Sequence, residues 1–448
     1  MPPPEFVLRS RRALTPEGVV PASIRVAGGR ITRIEAYSAP APPGVPIEEA
    51  GDSVVFPGLL DTHVHVNDPG RADWEGFETA TAAAAAGGIT TLIDMPLNSV
   101  PPTTTVEALR EKLSVAAGRC AVDVGFWGGV VPGNGPELPG LRKAGAFGFK
   151  CFLAPSGVPE FPEMEVAELV PAMRRLALLE SVLLVHAEDP ARLLERDGPG
   201  RSYASYLASR PRSAENAAVA QMLDLCRETG ARVHVLHLSS AEALAPLEKA
   251  RREGLPVTVE TCPHYLTFAA EDIPDGATPF KCAPPIRERE NRERLWEGLR
   301  DGVIDMVVSD HSPCPPDRKK LESGDFFEAW GGISSLELTL SAVWTGASER
   351  GIDLTRVAEW MGAAPARLAG LGGSRGALAP GRDADFVVWD PEEIRAVDPA
   401  LLQQRHKVTP YAGRRLQGIV RATWLRGEKI YERGRLLSRS SGEMLLSG

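Results

Sequence analysis

Short apolar segments alternate with segments of helical periodicity through the middle of the chain. Eight runs rich in Val, Ile and Leu have the length of a β-strand: 54–66, 89–95, 121–130, 146–154, 181–187, 231–239, 256–262 and 305–311. The spacing of apolar residues between them predicts helices, for example over 77–87, 106–118, 165–179 and 215–230. Strands alternating with helices indicate an α/β protein with a parallel sheet, and eight strands close a (β/α)₈ TIM barrel. An open doubly wound sheet is the alternative, but no G-x-G-x-x-G motif follows the early strands.

The two ends of the chain have a different pattern, with strand-like segments joined by glycine-containing turns. Neither end is long enough to bury a core by itself. We therefore predict that residues 1–53 and 376–448 together form one small β-sandwich domain, entered through the proline-rich stretch 40–46. The barrel is expected to span residues 54–375.

Composition narrows the class of protein. The 448 residues are 43% hydrophobic and 24% charged, which is ordinary for a globular chain. A formal charge of −9 argues against nucleic acid or an anionic membrane as the main partner. The six cysteines are scattered without a C-x-x-C motif, and the chain shows no signal-peptide pattern or apolar run of membrane-spanning length. We expect a cytoplasmic protein with reduced thiols.

Four of the eight histidines lie where predicted barrel strands end, which is where barrel enzymes place their functional groups. His63 and His65 form an H-x-H pair, and residues two apart on a strand face the same side. His186 and His237 end two later strands, and Asp310 ends the last one. Imidazole and carboxylate groups at one end of a barrel predict a metal site.

Two further histidines are expected to be supporting residues. His234 lies three residues before His237, on the opposite strand face, and farther from the strand end, so we assign His237 as the ligand and His234 as structural. His264 is expected to stand behind the ligands without contacting the metal.

Lys150 lies in the apolar strand segment 146–154. A buried ammonium group is costly, so this amine should be neutralised, paired or modified. A salt bridge with a carboxylate is one interpretation. The other is that the amine carries CO₂ as a carbamate and supplies an oxygen ligand to metal. The spacing alone leaves both open.

The combination of D-T-H-V-H at 61–65, Lys150, H-A-E at 186–188, H-L-S-S at 237–240 and S-D-H at 309–311 resembles the cyclic-amidase branch of the amidohydrolase superfamily. The resemblance implies two divalent cations, with zinc the first candidate and iron, cobalt or manganese as alternatives. It implies one cation held by His63, His65 and Asp310, a second held by His186 and His237, and a carboxylated Lys150 (N6-carboxylysine) bridging them. It also implies attack by metal-activated hydroxide, with Asp310 as the catalytic proton shuttle.

Longer motifs at 67–104, 149–157, 260–266, 280–287, 309–314, 329–337 and 406–413 are similar to those of the allantoinase family. This resemblance implies hydrolytic opening of (S)-allantoin to allantoate in purine catabolism, by a homotetramer. Since allantoin is uncharged, its binding should use neutral hydrogen-bonding groups. Asn98, Ser156, the backbone at Ala283 and Ser335 are the candidates. The stretch 323–334 is expected to be a mobile lid, or else a structural loop.

Departures from sister families bear on the substrate. Dihydroorotases have arginine, histidine and asparagine where this chain has Asn67, Cys314 and Ala283, so the anchors for a substrate carboxylate are missing. Hydantoinases and dihydropyrimidinases have a tyrosine where this chain has Pro155. A hydantoinase-type cyclic amidase is the main alternative function. A dihydroorotase and a non-catalytic scaffold homologue are weaker ones.

Overall fold

The computed structural model describes residues 5–448, so residues 1–4 of the predicted small domain lie outside it. Its strands are β1 (Phe6–Thr15), β2 (Gly18–Ala27), β3 (Arg30–Ala36), β4 (Ile47–Pro57), β5 (Leu59–Val64), β6 (Ile89–Asp94), β7 (Asp123–Phe126), β8 (Gly128–Gly129), β9 (Phe149–Phe152), β10 (Val182–His186), β11 (Arg232–Val235), β12 (Val257–Thr261), β13 (Met306–Val307), β14 (Phe386–Ala396), β15 (Arg415–Leu425), β16 (Glu428–Glu432) and β17 (Arg435–Leu436).

The helices follow the strands of the central region. They are α1 (Phe77–Ala86), α2 (Val106–Ala116), α3 (Leu138–Lys143), α4 (Val166–Leu178), α5 (Tyr203–Ser209), α6 (Arg212–Thr229), α7 (Leu244–Arg252), α8 (Pro263–Thr267), α9 (Arg289–Arg300), α10 (Thr339–Glu349), α11 (Leu354–Ala358) and α12 (Ala364–Leu368). The four helices predicted by spacing correspond to α1, α2, α4 and α6. In α1 a run of alanines is buried, and these small side chains let the helix pack closely against β6.

Strands β5 to β13 form the predicted barrel. Their pairing is parallel throughout, in the orders β5-β6-β7 and β8-β9-β10-β11-β12-β13. A parallel bridge between Val64 and His311, with the His65 N–H donating to the His311 carbonyl at 2.8 Å, joins the last strand to the first. The predicted fold class is confirmed.

One predicted strand, 121–130, is divided at Trp127 into β7 and β8. Strand β7 pairs with β6, while β8 pairs with β9. The indole of Trp127 donates to the carbonyl of Thr62 at 2.8 Å, so its side chain lies toward β5, while its backbone N–H donates to the carbonyl of Asp94 at the end of β6. Glycine is required two residues later, because a Cβ on Gly129 would lie 2.5 Å from the ring of Phe161.

The small β domain draws its strands from both ends of the chain. Its single eight-stranded sheet has the order β17-β16-β15-β14-β4-β1-β2-β3. Strand β4 connects the two contributions, since it pairs parallel with β1 and antiparallel with β14. A separate apolar cluster that includes Leu8, Ile24, Val55, Phe386 and Trp424 forms its core.

The contacts suggest a finer division of the chain than the predicted boundary at residue 54. Residues 54–57 pair with β14 in the small sheet, and Gly58 is the first residue after β4. At the other end, the N–H of Leu445 donates to the carbonyl of Val124 at 2.8 Å, so the final segment lies beside β7 of the barrel. We propose that the barrel begins at Gly58. Among residues 5–448, no helix is both long and apolar enough to cross a lipid bilayer.

Candidate metal centre and active site

His63 and His65 lie at the carboxyl end of β5. His63 is within the strand, His65 follows its last residue, and both are buried with ring centroids 5.5 Å apart. The Nδ1 atom of His63 is 2.5 Å from Glu260 Oε1. Because that contact occupies Nδ1, the Nε2 atom is left to face the centre of the site.

Asp310 and Lys150 meet this pair. Asp310 Oδ1 is 3.2 Å from His63 Nε2 and 3.7 Å from His65 Nε2. The amine of Lys150, the second residue of β9, is 3.4 Å from the same His63 nitrogen. Ligand atoms of His63, His65 and Asp310 all lie within 4.8 Å of one another, which is the spacing of groups that can hold one cation.

His186 and His237 form the second pair. The Nδ1 atom of His186, the last residue of β10, lies 3.0 Å from His237 Nε2. The ring centroids of His237 and His63 are 5.4 Å apart, so the two groups of candidate ligands are neighbours. The structure thus brings all six residues assigned from sequence as metal ligands into one cluster.

The protonation states in this cluster favour metal binding. Burial, reinforced by nearby cationic groups, lowers the pKa of His65 and His237 well below the ordinary value. Burial also lowers the pKa of His186 despite its contact with Glu188, and it lowers the pKa of Lys150 to about 8. Neutral imidazole is the form that binds a metal, and a neutral amine is the form that reacts with CO₂.

The donor set fits a pair of divalent cations. When His186 donates through Nε2 to Glu188, at 2.7 Å, its Nδ1 presents a lone pair toward His237 Nε2. Binding of one cation by both residues would account for the short distance of 3.0 Å between His186 Nδ1 and His237 Nε2. Imidazole and carboxylate groups, with a lysine able to form a carbamate, suit zinc, iron, cobalt or manganese.

Two acidic residues that support the ligands were missed by sequence reasoning. Glu260, on β12, is fully buried and contacts His63, the Nε2 of His234 at 2.9 Å and the backbone N–H of His237 at 3.2 Å. Burial would raise the pKa of Glu260, but His63 and His234 outweigh it and lower the pKa to about 2. The structure therefore places His234 on this carboxylate, away from the candidate ligands.

Glu188 supports the second pair. It is fully buried, contacts His186 Nε2, and is held by the guanidinium of Arg210 through two hydrogen bonds. Burial acts to raise its pKa, but Arg210 and His186 lower it to about 2. A carboxylate on the second nitrogen of a ligating histidine fixes the tautomer and the ring orientation. The H-A-E motif contained this residue, but sequence reasoning gave it no role.

A cavity of about 600 Å³ opens onto the cluster and is lined by five of the six candidate ligands, with His63 behind them. Three of the four predicted substrate-binding residues, Asn98, Ser156 and Ala283, line it as well. The Nδ2 atom of Asn98 is 3.3 Å from His65 Nδ1, while its Oδ1 has no hydrogen-bond partner in the described part of the chain. The hydroxyl of Ser156 donates to the carbonyls of Val158 and Phe161, so it also stabilises its own turn.

Ser335 is the exception, because it lies outside the cavity lining. Its hydroxyl donates to the carbonyl of Ser309 at 3.3 Å and its N–H donates to His311 Nδ1 at 3.2 Å. Ser335 therefore braces the strand end that carries Asp310, and its predicted contact with substrate stays a prediction. His264 is also outside the lining and fully buried, and neither of its ring nitrogens has a hydrogen-bond partner among residues 5–448. Burial lowers its pKa to about 3, so it is neutral.

The residues that depart from sister families have distinct surroundings. The amide of Asn67 donates to the carbonyl of Pro313, and Asn67 and Cys314 are both outside the cavity lining. Pro155 lines the cavity, where a tyrosine hydroxyl would otherwise be available. Residues 327–332 of the predicted lid form part of the wall, and the amines of Lys281 and Lys319 bond to their carbonyls. Movement of this segment stays a prediction.

Comparisons with known proteins agree with this geometry. The model of the amidohydrolase family matches residues 54–430. A protein named allantoinase from Streptomyces avermitilis is 56% identical, over 97% of this chain and 99% of that one. An allantoinase from Saccharomyces cerevisiae is 43% identical, over 99% of this chain and 95% of its own.

A solved structure shares the complete architecture. The L-hydantoinase (dihydropyrimidinase) of Arthrobacter aurescens superposes with a TM-score of 0.93 at 34% identity, and the match covers 98% of this chain and 100% of that one. A D-hydantoinase structure superposes with a TM-score of 0.88 at 29% identity. This chain therefore belongs to the amidohydrolase family and, within it, to the allantoinases.

Proposed function

We propose that the protein hydrolyses (S)-allantoin to allantoate, using two divalent cations with zinc as the first candidate. The observation that carries this proposal is the buried cluster of four histidines, Asp310 and Lys150 at the base of one cavity. Membership of the allantoinases selects the ring to be opened. Iron, cobalt and manganese suit the same donors.

The residues divide the metal-binding task between them. His63 Nε2, His65 Nε2 and Asp310 would hold one cation, and His186 Nδ1 with His237 Nε2 would hold the other. Lys150, carboxylated by CO₂, would supply a further oxygen ligand. Two bound cations supply Lewis acidity, which polarises the ring carbonyl and acidifies a water molecule.

Asp310 is suited to move the proton. Its carboxylate is at the cavity surface and within reach of both His63 and His65. Burial, partly opposed by His63 and Lys150, raises its pKa above the ordinary value for aspartate. A more basic carboxylate accepts a proton from the attacking water more readily, and can then give it to the departing ring nitrogen.

The pocket composition supports allantoin over an acidic ring. Positions used by dihydroorotases to bind a carboxylate carry Asn67 and Cys314, both outside the lining, and Ala283 within it. Asn98 and the backbone near Ala283 offer neutral hydrogen-bonding groups to a ureide. A hydantoinase activity is the second candidate, since the architecture matches that of hydantoinases, but Pro155 provides no hydroxyl for the developing oxyanion.

A substrate panel with metal reconstitution tests the proposal. Metal-loaded protein should open allantoin with a kcat/KM at least about tenfold above that for hydantoin, dihydrouracil or dihydroorotate. Protein carrying Lys249→Gln, a change at an exposed side chain of α7, serves as the matched control. Preference for hydantoin or dihydrouracil would establish the hydantoinase alternative. Failure of the protein to bind any divalent cation in the presence of bicarbonate would favour the alternative of a non-catalytic scaffold homologue.

We also propose that the enzyme is a cytoplasmic homotetramer. Support for a reducing compartment comes from six buried cysteines that all have free thiols. The tetramer rests on the family resemblance. Sedimentation equilibrium of the metal-loaded protein and fractionation of cells test the two statements separately.

A further inference from the structure

Several cations around the cavity have no acidic partner. Lys281, Arg318 and Lys320 line it, and Lys319 is buried behind its wall. Within residues 5–448, none of these four groups forms an ion pair: the amines of Lys281 and Lys319 bond to backbone carbonyls, and the guanidinium of Arg318 lies 4.8 Å from the ring centroid of Trp74. The acidic residues in the lining are Asp310, which belongs to the metal cluster, and Glu328. The cavity thus has an excess of positive charge outside the metal cluster.

Lys281 is the inner member of this group. Its Nζ donates to the carbonyls of Phe327, at 3.3 Å, and Ala329, and lies 5.3 Å from the ring centroid of Tyr206. Lys319 Nζ donates to the carbonyl of Trp330 at 3.0 Å, so it anchors the wall from behind. A cation solvated only by carbonyl dipoles is costly to bury, and a bound anion would offset that cost.

The charged groups facing Lys281 explain why its amine is available to bind an anion. Arg210 is committed to Glu188, as described above, whereas Lys319 repels the Lys281 ammonium and Asp325 attracts it from a distance. Burial, followed by Lys319 and Arg210, lowers the pKa of Lys281 to about 7, against the weaker effect of Asp325. A carboxylate ligand would restore the charged form.

Ring opening creates such a ligand. Water adds to the carbonyl carbon, the ring C–N bond breaks, and the nitrogen takes a proton. The acid formed then loses a proton to solvent, so an uncharged ureide becomes a carboxylate. The cations therefore complement the opened molecule, not the closed ring.

We propose that Lys281, with Arg318 and Lys320 at the rim, forms a subsite for the carboxylate of the ring-opened ureide in the outer part of the cavity. The identity of this ligand rests on the proposed function. Lys319 acts as a positioning residue, because it holds the wall on which Lys281 is solvated. The subsite would take part in product release and in binding for the reverse reaction.

Calorimetric titration of the metal-loaded protein tests the subsite without turnover. The ligands are allantoate, N-carbamoylglycine and the uncharged amide of N-carbamoylglycine. Lys281→Gln should weaken binding of both carboxylates about tenfold and leave binding of the amide within about twofold. Lys281→Arg should retain most of the affinity, and Lys249→Gln all of it. In the unaltered protein, carboxylate affinity should fall as pH rises through about 7, where Lys281 loses its proton.

Two results would overturn the subsite. Equal weakening for the carboxylates and the amide would show that the substitution damages the wall in general, and unchanged carboxylate affinity in Lys281→Gln would show that the lysine binds no anion. Absence of allantoin hydrolysis is a different result. It would refute the proposed function, while titration with N-carbamoylglycine would still decide whether the carboxylate subsite exists.

Discussion

Replacement of Glu260 by glutamine should weaken metal binding although Glu260 is not one of the candidate ligands. The carboxylate accepts from three donors: His63 Nδ1, His234 Nε2 and the backbone N–H of His237. Glutamine keeps the shape but has one acceptor oxygen. Its amide N–H₂ must face one of the two imidazoles.

The structure indicates which imidazole adapts. His234 can exchange its tautomer, because its Nδ1 faces the hydroxyl of Thr258 at 2.8 Å, and a hydroxyl both donates and accepts. His63 cannot, because a proton on Nε2 would exclude a cation there. The glutamine oxygen should therefore still accept from His63 Nδ1. The substitution then replaces a charged acceptor of the His63 proton by a neutral one. Loss of such outer partners weakens metal affinity about 10- to 100-fold.

This change in affinity is measured by adding the divalent cation to metal-free protein in the presence of a chelator that competes for it. Glu260→Gln should show the expected loss of affinity with an intact circular dichroism spectrum, while Glu248→Gln, at a half-exposed side chain of α7, should match the unaltered protein. Wild-type affinity in Glu260→Gln would refute the reasoning, because it would mean that the contact to His63 does not tune the ligand.

Three other predictions follow from the same structure. Asp310→Ala and Lys150→Ala should each lower kcat for allantoin by at least about 10³-fold without unfolding the protein; substantial turnover in Asp310→Ala would exclude it as the proton shuttle. Reactivation of metal-free protein by metal and bicarbonate should accelerate as pH rises through about 8, because Lys150 has a pKa lowered to about 8 and its neutral form takes up CO₂; a rate independent of pH would contradict this. Arg375→Ala should lower the free energy of unfolding by about 3 kcal/mol in denaturant titrations. The reason is that the guanidinium of Arg375 lies 2.5 Å from the carboxylate of the buried Asp123, which the substitution leaves with one cationic partner fewer. The kcat per folded molecule should not change.

The barrel could be predicted because each strand is a separate apolar run with a polar residue at its end. The interruption at Trp127 could not, because the run 121–130 is continuous around Trp127, with Asp123 its one charged residue, and the change of partner from β6 to β9 is decided by tertiary pairing. The pattern of apolar and polar residues also could not locate the end of β4, since residues 54–57 are as apolar as the barrel strand that follows.

The candidate ligands were predictable from their position at strand ends, together with the family resemblance. Glu260 was not found, although the reasoning applied to Lys150, a charge inside an apolar strand, applies equally to the segment 256–262. For Ser335 the motif gave proximity to the site but not the direction of the side chain, and its role as a substrate contact stays a prediction. Its side chain bonds to Ser309 and does not reach the cavity.

The position of β4 in the small sheet sets an order for folding. On one side it pairs with β1, which belongs to the same N-terminal segment, and on the other with β14, which is synthesised only after the whole barrel. Until β14 arrives, the edge formed by Val54, Val55 and Phe56 has no partner. An unpaired apolar edge is a site of aggregation, and long-range pairing is slow. Recovery of active enzyme should therefore depend on how rapidly the barrel folds and brings β14 to that edge.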